Sequence, residues 1–95
     1  MRYNRKFIEA RFQMAMKAIG APTGDTYTKQ PDGSYKANVG VHFIDHIACY
    51  GGYTIACMAS DGGAESRPFG HGRYKASEFV AMLDGIIGAA SIMKP

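Results

Sequence analysis

Tryptophan is absent from this chain, and cysteine and proline are scarce: no Trp, two Cys and four Pro among 95 residues. Two cysteines cannot build the dense disulfide framework of a small secreted domain, so Cys49 and Cys57 read as free thiols packed as small hydrophobes. No uninterrupted apolar run approaches the ~18 residues of a membrane span. The basic start Met1-Arg2-Tyr3-Asn4-Arg5-Lys6 lacks the apolar stretch of a secretion signal, which points to the cytoplasm. Internal repeats, linkers and low-complexity tracts are missing too, so the expectation is one domain spanning residues 1–95. Charge is weak: eleven basic against eight acidic residues leave a formal net charge of +3, milder than the basic stripe of a dedicated nucleic-acid binder.

Glycine, in contrast, is plentiful. There are twelve, and many cluster between Gly51 and Gly72. Within that region Tyr53-Thr54-Ile55-Ala56-Cys57-Met58-Ala59 carries no charge on either alternating face, with Gly51-Gly52 before it and Gly62-Gly63 after it. It reads as an interior strand between sharp turns.

Helical periodicity appears at both ends of the chain. Asn4 is a cap for a helix running to about Ile19, with Ile8, Phe12, Ala15, Met16 and Ile19 on one face and Gly20 and Pro22 as its stop. A second helix begins near Lys75–Ser77, places Glu78 in its first turn, and repeats the stripe with Phe79, Leu83, Ile86, Ile87 and Ala90. Between them, Gln30-Pro31-Asp32-Gly33 separates two β-type segments and signals a hairpin. The second segment is expected to continue through Val41 and Phe43, with a bulge or close contact at Gly40. His42–Tyr50 is expected to be extended and to turn into Tyr53 through Gly51-Gly52. Pro68 limits Ala64–Arg67 to an edge strand or loop. The sum is an α+β domain of order α-β-β-(β)-β-α, with two helices packed on one face of a small antiparallel sheet.

Three groups of residues bear on chemistry. Gly70-His71-Gly72-Arg73-Tyr74-Lys75 leads into the second helix. Glycines allow close approach of the backbone, and Arg67, His71, Arg73 and Lys75 offer charge-assisted contacts to an anion, with Tyr74 as an aromatic platform. Neither the phosphate-loop nor the dinucleotide glycine spacing is present, since Lys75 stands where the last glycine would be. A glycine-rich turn with solvated bases has the same composition. Arg2, Arg5 and Lys6 form a second basic patch at the first helix start, either a solvated end or a place for an anionic partner.

His42, Asp45, His46 and Cys49 would share one face of a helix with spacing that suits zinc. In a strand, His42 and His46 stand about 13 Å apart and share no metal. Neither cysteine has a basic neighbour in sequence, and the carboxylates are scattered, so nothing pairs an acid with a base for catalysis. The expectation is a protein without catalytic residues, metal or cofactor. Six tyrosines suit an interface or a half-buried strand equally.

Tyr50-Gly51-Gly52-Tyr53-Thr54-Ile55, Asp61-Gly62-Gly63, Arg73-Tyr74-Lys75-Ala76-Ser77-Glu78-Phe79 and Leu83-Asp84-Gly85 resemble a group of small uncharacterised bacteriophage proteins, over about the C-terminal half of the chain. The resemblance implies a phage accessory protein in the host cytoplasm, one that blocks a host component such as antiviral defence or sequesters an anionic nucleotide signal. The element order with a Gly-x-Gly turn before the last helix also resembles double-stranded-RNA-binding domains. That family clusters lysines at the last helix start; here only Arg73 and Lys75 match, and Glu78 opposes phosphate. A nucleic-acid-binding module is therefore the alternative. Met82, Ile92 and Met93, near or beyond the core stripe, leave room for a homo-dimer or higher oligomer.

Overall fold

The computed structural model describes residues 3–46, 51–70 and 72–93. Helix α1 spans Arg5–Ile19. It starts where Asn4 accepts a hydrogen bond from the Phe7 main-chain N–H. It stops at Gly20 in the left-handed region (φ 73°), where Gly20 N–H donates to Lys17 O and Ala21 N–H to Met16 O, a cap that suits glycine. Helix α2 spans Ala76–Met93. The Lys75 carbonyl accepts its first bond, from Phe79 N–H, and the Glu78 carboxylate accepts the Lys75 N–H at 3.0 Å. Glu78 thus supplies the acidic half of a capping box.

Among the described residues five strands lie between the helices: β1 Tyr27–Lys29, β2 Tyr35–Ala37, β3 His42–Asp45, β4 Thr54–Met58 and β5 Glu65–Ser66. The class is α+β. The β strands divide into two antiparallel sheets, β1-β2 and β3-β4-β5, where the sequence suggested one. The division falls at Gly40. Its φ of 93° excludes it from an extended strand, Val41 N–H turns back to Asn38 O, and Gly40 N–H donates to Met58 O. β3 therefore starts afresh against β4.

β4 is the central strand, and four of its five residues are buried. Ile55 joins Ile8, Phe12, Ala15 and Met16 of α1 and Phe79, Val80 and Leu83 of α2 in one apolar cluster. Full burial of each large side chain contributes about 1.5–3 kcal/mol. The opposite face of β4, Thr54, Ala56 and Met58, is buried as well. The helical stripes are shorter than their periodicity: Ile19 is exposed, Ile86 and Ile87 are half-buried, and Ile92 and Met93 stand out in solvent. α2 is long and apolar enough to cross a membrane by length and composition, with a mean hydropathy of 1.4 over 18 residues. Its Glu78 and Asp84 break the apolar run, and its first half is locked into the core with α1.

β3 is extended, and it forms a hairpin with β4. Its register pairs His42 with Cys57 and Asp45 with Thr54, whereas the expected two-residue Gly51-Gly52 turn would pair Asp45 with Met58; of the segment expected to be extended, 47–50 lie outside the described residues. Tyr53 is held elsewhere. Its N–H donates to Tyr74 O at 2.8 Å, and Tyr74 N–H donates back to Tyr53 O at 2.9 Å. Gly51 and Gly52, both with positive φ (66° and 77°), bring the chain to that pairing. A Cβ on Gly52 would meet Arg73 Cβ at 3.0 Å and the Tyr74 carbonyl oxygen at 3.1 Å.

Candidate anion-binding site

The 67–75 segment, the end of β3 and the start of β4 meet at one end of the three-stranded sheet. Asp45, the last residue of β3, is the focus. Its side chain is only 12% exposed, and one carboxylate oxygen, Oδ2, accepts from two guanidiniums: Arg67 at 2.8 Å and Arg73 at 3.2 Å. Arg67 also pairs with Glu65 at 3.1 Å and donates to Ser66 O. Arg73 reaches the Asp45 main-chain oxygen as well, at 3.5 Å. The two arginines are thus held by a shared acid, and their positions are fixed more firmly than those of solvated side chains. Arg67 is committed to three oxygens. Arg73 keeps N–H donors of its five, and the Lys75 ammonium has no protein partner among the described residues.

An aromatic stack stands beside these charges. The exposed His46 ring lies on Tyr53 with centroids 4.1 Å apart and planes at 10°. Tyr53 in turn lies on the buried Phe79 of α2, at 5.4 Å and 23°. The stack therefore runs from the core to solvent. Its middle member is bonded through its backbone to Tyr74, the residue after Arg73. The turn itself is set by Gly70 (φ 98°), whose N–H donates to Arg67 O. The Tyr74 ring covers Gly72, since a Cβ there would lie 3.3 Å from the Tyr74 hydroxyl. Tyr74 is half-buried against the core, so it is a wall of the site more than an open platform.

Of the residues singled out from sequence, Arg67, Gly72, Arg73, Tyr74 and Lys75 lie in this region, and His71 lies outside the described residues. Arg2 also lies outside them. Arg5 pairs with Glu9 on α1 at 2.9 Å, and Lys6 is exposed on the same helix. The histidine–aspartate group takes the extended form. His42 Nδ1 stands 3.3 Å from Pro22 O, Asp45 holds the arginines, and Cys49 lies outside the described residues. Among the described residues no three of His, Cys, Asp and Glu gather in metal-binding range. Cys57 is a half-buried free thiol.

Sequence reasoning missed Asp45 as a counter-ion, His46 and Tyr53 as a stack, and Gly52 as the contact that brings them to Arg73. The one local signal was the Gly51-Gly52 pair, whose positive φ angles set the approach. Comparison with protein-family models, with curated proteins and with solved structures finds no match.

Proposed function

We propose that this protein is a non-catalytic binding domain that takes an anionic nucleotide at this end of the sheet. In the phage setting that the sequence resemblance implies, it acts in the host cytoplasm by sequestering a nucleotide signal. One observation carries the reading: a solvent-facing aromatic stack, His46 on Tyr53, is bonded through the Tyr74 backbone to the stretch that carries Arg73 and Lys75, both of which keep donors. A base stacked on such a platform gains about 1–3 kcal/mol, and phosphate oxygens gain charge-assisted bonds from the two cations. Asp45 holds Arg73 in place before the ligand arrives, which lowers the ordering cost of binding.

Thermal stability of the full chain with AMP, a cyclic dinucleotide, adenosine or inorganic phosphate tests the reading. A ligand at 100 times its Kd stabilises the folded state by about 2.7 kcal/mol. The expected result is a rise in Tm with a nucleotide and smaller rises with adenosine or phosphate alone. No rise with any nucleotide overturns it. Tight binding of duplex RNA or DNA that weakens steeply with salt would replace it with the nucleic-acid-binding alternative.

A second reading, obstruction of a host protein, is favoured by the outer side of α2. Only 17% of that helix is buried, and Ile92 and Met93 are more than four-fifths exposed. Exposed apolar surface of this kind marks interaction sites. Its test is site-directed cross-linking from Ala89 and Ile92: one host protein captured, and released by Ile92→Glu, supports it. A concentration-dependent link between copies of the chain supports a homo-oligomer instead.

A further inference from the structure

A second cleft lies between α1 and the outer edge of β3, with a volume of about 210 Å³, the liquid volume of about seven waters. Arg5, Glu9 and Gln13 of α1 form one wall, Gly24 and β3 the other, and the buried Phe12 contributes to the floor.

The β3 wall is an open strand edge with one vacant rung. Among the described residues β3 is paired on one side only, with β4. Met58 N–H donates to Val41 O, so in this antiparallel register Phe43 and Asp45 turn their main-chain groups towards β4, while His42 and Ile44 turn theirs outward. The outward N–H of His42 is taken by Pro22 O at 2.8 Å. The chain at Pro22–Gly24 therefore covers the edge at His42 and leaves it open at Ile44. The N–H and C=O of Ile44 have no hydrogen-bond partner among the described residues. A half-covered edge with an apolar floor excludes some of the water that would otherwise satisfy them.

The facing helix supplies one charge of each sign. Arg5 Nε donates to Glu9 Oε1, which leaves both terminal guanidinium nitrogens and the second carboxylate oxygen without a partner among the described residues. Gln13 is oriented by the Thr23 hydroxyl, which donates to its Oε1 at 2.8 Å, so its amide N–H groups remain as donors.

We propose that this cleft binds a free α-amino acid with an apolar side chain. In an antiparallel ladder, one residue exchanges both N–H···O=C bonds with the residue opposite. A zwitterion reproduces that exchange with a single molecule: its carboxylate accepts from Ile44 N–H, and its ammonium donates to Ile44 C=O. Arg5 then faces the carboxylate and Glu9 the ammonium, with Gln13 a further turn along α1 at the far end of the cleft. The side chain lies on Phe12 and Ile44, which share the helix-covered face of the sheet. Balanced charge on the helix wall disfavours a ligand with net charge.

Titration of the ¹⁵N-labelled full chain with L-leucine tests this. Two analogues complete the set: 4-methylpentanoate, which lacks the ammonium, and 3-methylbutylamine, which lacks the carboxylate. The expected result is a saturable shift centred on the Ile44 amide. Each analogue should bind at least about tenfold more weakly than leucine, and Arg5→Gln should weaken leucine by a similar factor while the helical circular dichroism stays unchanged. Three results overturn the proposal: no saturable shift at Ile44, an analogue that binds as well as leucine, or full affinity in Arg5→Gln.

Discussion

In the β3-β4-β5 sheet four of the five residues of the central strand are buried, whereas in the β1-β2 hairpin only Ala37 is. Both are short and antiparallel. What separates them is cover. Ile55 lies under both helices, while the hairpin meets the rest of the protein at its base, through Ala37 N–H to Asp61 O and through the Tyr27 hydroxyl beside Gly63. The larger sheet therefore carries stability and both candidate ligand sites. The hairpin is an appendage whose strand sequence is set by local turn chemistry.

Truncating one large side chain in each sheet tests the difference in cover. Ile55→Ala should cost about 2–5 kcal/mol in denaturant unfolding, as for other large-to-small changes in a core. Tyr35→Ala, at a side chain 65% exposed, should change stability by no more than about 0.5 kcal/mol. Equal costs would show that the hairpin is part of the core.

Asp45→Ala comes next. It removes the acid shared by Arg67 and Arg73 and leaves Arg73 without an ionic partner among the described residues. For groups 12–27% exposed, partial solvent access reduces the 3–5 kcal/mol of a fully buried break to about 1–2 kcal/mol. Thermal unfolding measures it, and a neutral result would mean that the cluster is solvated.

A glycine pair extends the comparison to the turns. Gly52 and Gly63 both have positive φ, 77° and 95°, so alanine at either strains the backbone by about 1–2 kcal/mol. At Gly52 the new Cβ also meets main-chain atoms of Tyr74 that cannot yield, whereas at Gly63 it meets the far end of the Tyr27 side chain, which can swing aside. Gly52→Ala should be the more destabilising of the two. The reverse order would place the firmer packing at the hairpin.

The smallest effect belongs to the hairpin tip. Asp32 accepts from the Ser34 hydroxyl at 2.6 Å and from the Ser34 main-chain N–H at 2.9 Å, and these bonds hold its carboxyl below its ordinary value of 3.8. A depressed folded-state value stabilises the turn above pH 3.8, and the benefit is lost as pH falls through the folded value. An NMR titration of the Ser34 amide should therefore show a midpoint below 3.8. A midpoint at or above that value would show that the tip bonds do not hold in solution.

The helices were legible because their signals are local. Asn4, Gly20 and a 3.6-residue stripe act within one or two turns, and the Pro-Asp-Gly hairpin acts within four residues. The strand boundaries were less so. Val39, Val41 and Phe43 alternate as one strand would, but the turn at Gly40 and its bond to Met58 end that strand early. Beside the β3–β4 hairpin, Tyr53 pairs with Tyr74, twenty-one positions away, a contact that no local pattern encodes. The site followed the same rule. Arg67, Arg73 and Lys75 stood out by composition, while Asp45 read as one of several scattered acids or as a neighbour of His42 and His46 on a helical face, because its partners lie 22 and 28 residues further along.

The central claim is that Arg73 and the His46–Tyr53 stack form one nucleotide site. Calorimetric titration of a cyclic dinucleotide into the wild-type chain, Arg73→Ala and His46→Ala measures it directly. The expected result is saturable binding to the wild type and a loss of at least about tenfold in each variant, as for a charge-assisted bond or one stacked base. Binding that both variants retain in full, or no binding to the wild type, would contradict it.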